Sequence, residues 1–275
     1  KTFKDLGNQR DMVVAQDQLA YLYRLRSNYE QAEQLYSESL MTAIHLGDRQ
    51  LIATIQGQLA DLYLLRGDYE KAERLYHASL KIVEELGDQR DVAVAQSNLA
   101  RLLQLRRDYK QAERLYRASL KTAEKLGDRR GTAVKQSQLA YLYRLRGDYE
   151  QAEQLFRASL KTAEELGDRR EVAVTQGQLA YLYHLRGDYE KAEQLFRASL
   201  KSNEELGDRR EVAVTQHNFA MMRATQGRIE EALALLTLSR DTFHELGLEK
   251  DVAKDEEMIR KVRERLAAGS LKFEF

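Results

Sequence analysis

Five histidines are the residues best suited to proton transfer or metal binding: His45, His77, His184, His217 and His244. None stands four residues from another and there is no H-E-x-x-H run, so no two imidazoles are spaced to share a helical face. His184 and His217 come nearest to a pair. On the helices inferred below they lie at opposite ends of parallel neighbours, about 10 Å apart in height at helical rise, which fits two separate wall residues better than a shared metal. Acid pairs such as Glu164-Glu165 recur beside Lys or Arg and read as a solvated face laced with ion pairs. The chain has no cysteine, which excludes disulfides and thiolate metal sites. Glycines occur at helix ends or singly within a helix, never as a phosphate-cradling loop. The expectation is a chain that is not an enzyme and holds no cofactor or metal.

A second chemical signal is the tripeptide that adhesion receptors read, at Arg66-Gly67-Asp68, Arg146-Gly147-Asp148 and Arg186-Gly187-Asp188. Equivalent places carry Arg26-Ser27-Asn28 and Arg106-Arg107-Asp108, so the helix cap persists where the tripeptide does not. It reads as a helix stop followed by a helix start.

Composition narrows the partners. The 275 residues hold 44 Lys plus Arg against 44 Asp plus Glu, so no net charge draws the chain to nucleic acid or an anionic membrane. Arginines do gather near the ends of alternate helices, where the helix dipole favours cations. No apolar run approaches the ~20 residues that span a bilayer. The composition suits a reducing cytoplasm.

What must position any site is a repeat. Shifted by 40 residues the sequence falls on itself, with Ala20, Ala60, Ala100, Ala140, Ala180 and Ala220 in register. Ser137 to Arg170 differs from its partner segment at only five positions. Each repeat reads as two helices, A and B, spanning about 169–186 and 189–206 in repeat five. Gly167 and Gly187 suit the left-handed position that ends a helix, and Asp168 and Asp188 can cap the next one. Glu171 adds a capping-box-like partner. A two-residue turn folds the pair into an antiparallel hairpin.

With Leu179, Ala180 and Tyr183 in helix A, Gly187 and Tyr189 at the turn, and Ala192, Phe196 and Ser199 in helix B, the unit resembles the tetratricopeptide repeat. The pattern covers nearly the whole chain. Repeat six is the loosest copy, with Arg223, Ile229 and Leu236 in place of its aromatics. The period of 40 rather than 34 and the absence of proline are similar to the long-repeat arrays of kinesin light chains, Pins/LGN-type adaptors and bacterial sensor proteins. The resemblance implies an all-α, right-handed solenoid of helix hairpins. Residues 1–8 read as the end of a truncated preceding repeat and 9–247 as six repeats. Residues 248–268 read as a capping helix with Val252, Met258, Ile259, Val262 and Leu266 inward and Lys254, Asp255, Glu257, Lys261 and Glu264 outward. Residues 269–275 form a tail, either a docking segment or a cloning remnant.

Comparison between repeats separates scaffold from site. Three positions of helix A vary strongly and share one face. The first holds Asp17, Gly57, Ser97, Ser137, Gly177 and His217; the second Tyr21, Asp61, Arg101, Tyr141, Tyr181 and Met221; the third Arg24, Leu64, Gln104, Arg144, His184 and Ala224. The resemblance places them on the concave groove where ligands bind. An exposed face drifts freely, but tyrosine beside arginine is the typical hot-spot pair of recognition surfaces. Next to them runs an amide position, Gln18, Gln58, Asn98, Gln138, Gln178 and Asn218, which in long-repeat relatives clamps a peptide backbone; Asn98 and Asn218 match the favoured residue. The lysine of a carboxylate clamp is missing from the first position.

The expected function is recognition of a protein or peptide along this face, through Asp17, Tyr21, Arg24, Asp61, Asn98, Arg101, Gln104, Tyr141, Arg144, Tyr181, His184, His217, Asn218 and Met221. The alternatives are a regulatory sensor segment of a nucleotide-binding switch protein and a self-associating scaffold. No nucleic-acid or membrane partner is expected, and nothing in the sequence indicates a homo-oligomer.

Overall fold

The computed structural model describes residues 3–267, and the expected tail lies outside them. Among the described residues there are thirteen helices and no strand. The A helices are α1 (Phe3–Leu25), α3 (Arg49–Arg66), α5 (Gln89–Leu105), α7 (Arg129–Arg146), α9 (Arg169–Leu185) and α11 (Arg209–Thr225). The B helices are α2 (Tyr29–Leu46), α4 (Tyr69–Leu86), α6 (Tyr109–Lys125), α8 (Tyr149–Leu166), α10 (Tyr189–Leu206) and α12 (Ile229–Glu245), followed by α13 (Glu249–Ala267).

The helix ends follow from the capping chemistry. Gly167 closes α8 at φ 66°, and Asp168 then accepts the Glu171 N–H at 3.2 Å. Left-handed backbone is nearly free for glycine and costs other residues roughly 1 kcal/mol. Ser27 and Arg107 nonetheless adopt φ 57° and 63° at equivalent turns, so the turn is kept where its glycine is not. Asp188 departs from the expected cap. Its carboxylate lies 2.6 Å from the Lys191 ammonium and makes no side-chain bond to the first N–H groups of α10. At the start of the chain, α1 runs unbroken from Phe3 through Gly7 to Leu25. Carrying a helix through one glycine costs only about 1 kcal/mol, whereas a break leaves backbone groups to be capped.

The described residues form two compact units, one ending at Lys135 and the other beginning at Gln136, each built of such hairpins. Within a hairpin, α3 packs on α4, α5 on α6, α9 on α10 and α11 on α12. The helices approach closely because small residues face each other. Ala60, Ala100, Ala180 and Ala220 of the A helices and Ala72, Ala112, Ala192 and Ala232 of the B helices are all fully buried. A serine one helix away is tied to the partner backbone: Ser79 Oγ donates to the Ala53 carbonyl at 2.8 Å, and Ser199 and Ser239 repeat the bond on Ala173 and Ala213. Tyr36, Tyr76, Phe156 and Phe196 fill the remaining core, each contributing about 2 kcal/mol by burial.

Successive hairpins are joined by a polar latch. Tyr63 Oη donates to Glu33 Oε1 at 2.6 Å and Tyr183 Oη to Glu153 Oε1 at 2.8 Å. Arg66 and Arg186 pair with the same two glutamates. The arginine of the adhesion-like tripeptide is therefore a structural contact. Burial and the neighbouring Glu33 push the Tyr63 hydroxyl up to about 12, which keeps it a donor. In repeat six Arg223 takes the tyrosine's place. It is 2% exposed, bonds Glu193 through both Nη1 and Nη2 at 3.0 and 2.6 Å, and lies over the Phe219 ring.

The last helix closes the array more deeply than its charge suggests. Val252, Ile259 and Val262 are buried against α11 and α12, but Leu266, expected inward, is 58% exposed. Asp255, expected outward, is fully buried. The positions 252, 255, 259 and 262 share one helical face, so the aspartate lies within the packed stripe.

The latch predicts that tyrosine and arginine are interchangeable. Arg223→Ala should lower stability by about 2–4 kcal/mol, by emptying a buried position and leaving Glu193 with Arg197 alone. Arg223→Tyr should stay within about 1 kcal/mol of the parent, since the hydroxyl can take the glutamate as Tyr183 does. Urea unfolding of both variants decides the matter, and an equal loss in the two would sink the interchange.

Candidate recognition site on the A helices

The spacing of four and three residues puts the varying positions on one face of each A helix, whose inner edge touches the B helix, as Ser97 Oγ does Ser119 Oγ at 2.8 Å. In the first unit five of the expected residues connect. Arg24 stacks its guanidinium 4.8 Å from the Tyr21 ring centre and lies 3.9 Å from Asp61. Asp61 also pairs with Arg101 and accepts the Tyr76 hydroxyl, which in turn lies 3.3 Å from Arg101 Nη2. Burial raises the Asp17 carboxyl above its usual range, against the hydrogen bond from Gln58 and the attraction of Arg24. Asp17 Oδ1, Arg24 Nε and the Tyr36 hydroxyl are buried without a partner. Asn98 lines a hollow of about 220 Å³ with Gly57, Gln58, Asp61 and Ser79.

In the second unit a cleft of about 510 Å³ gathers Tyr141, Arg144, Tyr181, His217 and Asn218. Arg144 is held between two tyrosines, its guanidinium 4.5 Å from the ring centre of Tyr141 and 4.6 Å from that of Tyr181. It makes no ion pair among the described residues, and its Nε is buried without a partner. His217 Nδ1 lies 2.5 Å from Asp255 Oδ1, while Asp255 Oδ2 has no partner. Tyr181 meets His184 edge to face, with ring centres 5.6 Å apart.

Three expected residues are not groove-exposed. Gln104, His184 and Met221 are 7%, 6% and 8% accessible. For His184 the cause is plain, since Tyr181 and Tyr189 flank its ring. The cleft also contains residues that the repeat comparison missed: Arg210, Phe243, Asp251, Lys254 and Asp255. Four of these lie on α12 and α13: Phe243 stands where the other B helices carry Ala, Val or Asn, and α13 has no equivalent among the repeats. Asp255 shares the register of Val252 and Ile259, but its charge had placed it outward. Among the described residues no helix is long and apolar enough to cross a membrane, and no cluster of three metal-ligating side chains occurs.

Burial lowers the His184 imidazole from its ordinary 6.5 to about 4. The unfolded chain therefore binds this proton first as pH falls. His184 contributes fully above about pH 6.5, and the contribution is lost as pH drops towards 4, by at most about 3 kcal/mol. His184→Gln removes the titration, so its thermal midpoint should fall less than the parent's between pH 6.5 and 4.5. Parallel curves would contradict the burial assigned to this ring.

Comparison with known proteins rests on these features. A search of curated proteins finds no matching sequence. Among solved structures, BtubC (BKLC) from P. vanneervenii aligns with a TM-score of 0.64 at 27% identity, covering 74% of this chain and 85% of its own. A Rap protein complexed with competence and sporulation factor gives 0.68 at 16% identity, over 92% of this chain and 75% of that one. A signal transduction ATPase with a tetratricopeptide repeat sensor, from Pyrococcus horikoshii, gives 0.68 at 18% identity; 97% of this chain matches 45% of that protein. These likenesses show the fold. The tetratricopeptide repeat model matches residues 11–85, 51–125, 91–165, 131–205 and 171–245, in steps of one 40-residue repeat. The chain belongs to the tetratricopeptide repeat family.

Proposed function

We propose that the chain is a non-catalytic recognition module that binds a protein or peptide along the face formed by its A helices. The observation that carries this reading is Arg144, a guanidinium held between two tyrosine rings on an open cleft, with no ion pair among the described residues. Stacking fixes the cation at little entropic cost and leaves its outer N–H groups for an acidic or carbonyl group of the partner. The amide position supports the same reading. Gln178 and Asn218 line the cleft, and their carboxamides can pair with the main chain of an extended peptide. The structures similar to this chain include the Rap conjugation gene regulator of the plasmid pLS20 in complex with the Phr* peptide, which supports a peptide ligand by analogy.

A second reading, a sensor segment within a larger signalling protein, draws on the likeness to the sensor of the Pyrococcus horikoshii ATPase. It changes the consequence of binding rather than the surface used. Self-association through the same face is the third, and light scattering on the purified chain separates it from the others.

Tyr141→Ala combined with Arg144→Ala tests the surface. Partner affinity, measured on the protein captured by the parent chain from its host lysate, should fall at least about tenfold, the equivalent of 1.4 kcal/mol. Helical content and melting should hold. Unchanged affinity in this variant and in Tyr21→Ala with Arg24→Ala would place the binding surface elsewhere.

A further inference from the structure

Repeat three lacks one component of the latch between hairpins. In repeats two and five the position carries Tyr63 and Tyr183, which donate to Glu33 and Glu153, and Arg157 Nη2 lies 2.7 Å from the Tyr183 hydroxyl. In repeat six Arg223 reaches Glu193. Repeat three has Leu103, which is buried and has nothing to donate. The acceptor is still present. Glu73 stands where Glu33 and Glu153 stand, and His77 where Arg157 stands. Glu73 keeps its pairing with Arg106 but has no hydroxyl.

The space is open as well. In front of Leu103, helices α4, α5 and α6 enclose a cleft of about 580 Å³ whose apolar wall includes Leu80, Leu99, Leu103 and Leu115, with Glu73 and His77 on its polar side. The Gln96 side-chain carbonyl also lines it and is buried without a donor. The surface differs from the A-helix stripe, because it uses positions 96, 99 and 103 of α5 rather than 97, 101 and 104, roughly a third of a turn away at helical geometry.

We propose that this cleft receives a tyrosine side chain of a partner polypeptide, with the ring on Leu80, Leu99 and Leu103 and the hydroxyl donating to Glu73. The chemistry is copied from the chain's own repeats, where the same glutamate position takes a phenol twice. A polypeptide fits better than a free phenol. The volume is that of a ligand pocket rather than of one ring, and Glu84, Asp108 and Arg114 at the cleft provide partners for flanking main chain. The proposal is independent of the A-helix surface, since it uses other residues on other faces.

The test is a methyl NMR titration of the full chain with three probes: a capped pentapeptide with a central tyrosine, its phenylalanine counterpart, and p-cresol. The tyrosine peptide should shift the methyls of Leu80, Leu99 and Leu103, with the phenylalanine peptide at least tenfold weaker. Leu103→Tyr should abolish the shifts by restoring the missing latch, and it should melt at or above the parent. Glu73→Gln, which keeps the cleft, should bring the tyrosine peptide down to the phenylalanine level. Equal response to both peptides, shifts that persist in Leu103→Tyr, or no shift at these methyls would each overturn the proposal. Binding of p-cresol without the peptide would also overturn it, in favour of a small-phenol site.

Discussion

The distance between the two helices of a hairpin is set by alanine facing alanine, and most of the molecule is built around that separation. At fully buried positions such as Ala180 and Ala192 any larger side chain would push the helices apart. The serine that follows, Ser199 in repeat five, is small enough to fit and returns a hydrogen bond to the opposite backbone. Once that contact is fixed, aromatic residues such as Phe196 reach the core, and the outer faces of helix A are left to vary without disturbing the fold. The variable stripe exists because the packing is settled by other residues.

Helix boundaries were legible because they depend on local chemistry. Asp168 capping α9 after Gly167 is encoded within a few residues, and repetition showed the same signal several times. The exceptions are instructive for the same reason. α1 runs through Gly7 without a stop, and Asp188 pairs with Lys191 and makes no side-chain cap bond. The face on which Tyr141, Arg144 and Tyr181 meet was also legible, because comparison of repeats within one chain distinguishes fixed from free positions.

What the sequence hid was long-range. Nothing local to Asp255 says that His217 awaits it, 38 residues earlier in the chain. His184 was expected at the groove wall from its register, yet rings from Tyr181 and Tyr189 cover it. Arg223 looked like a degraded repeat position and turned out to be an ion-paired replacement for a tyrosine. In each case the neighbour that decided burial or charge came from an element whose placement a linear pattern does not specify.

The glutamate at the end of the latch has a consequence for how such an array can change length. A repeat with the complete latch presents an acceptor on its B helix for the next repeat, as Glu153 does, and a donor on its A helix for the previous one, as Tyr183 does. A copied block of 40 residues inserted in frame carries both halves of the joint, so it can dock at either neighbour without new mutations. The near identity of Ser137–Arg170 with the following repeat is what such a duplication leaves behind. Repeat number is then a quantity that gene duplication and protein engineering can adjust, while the lengths of individual helices stay fixed by their caps.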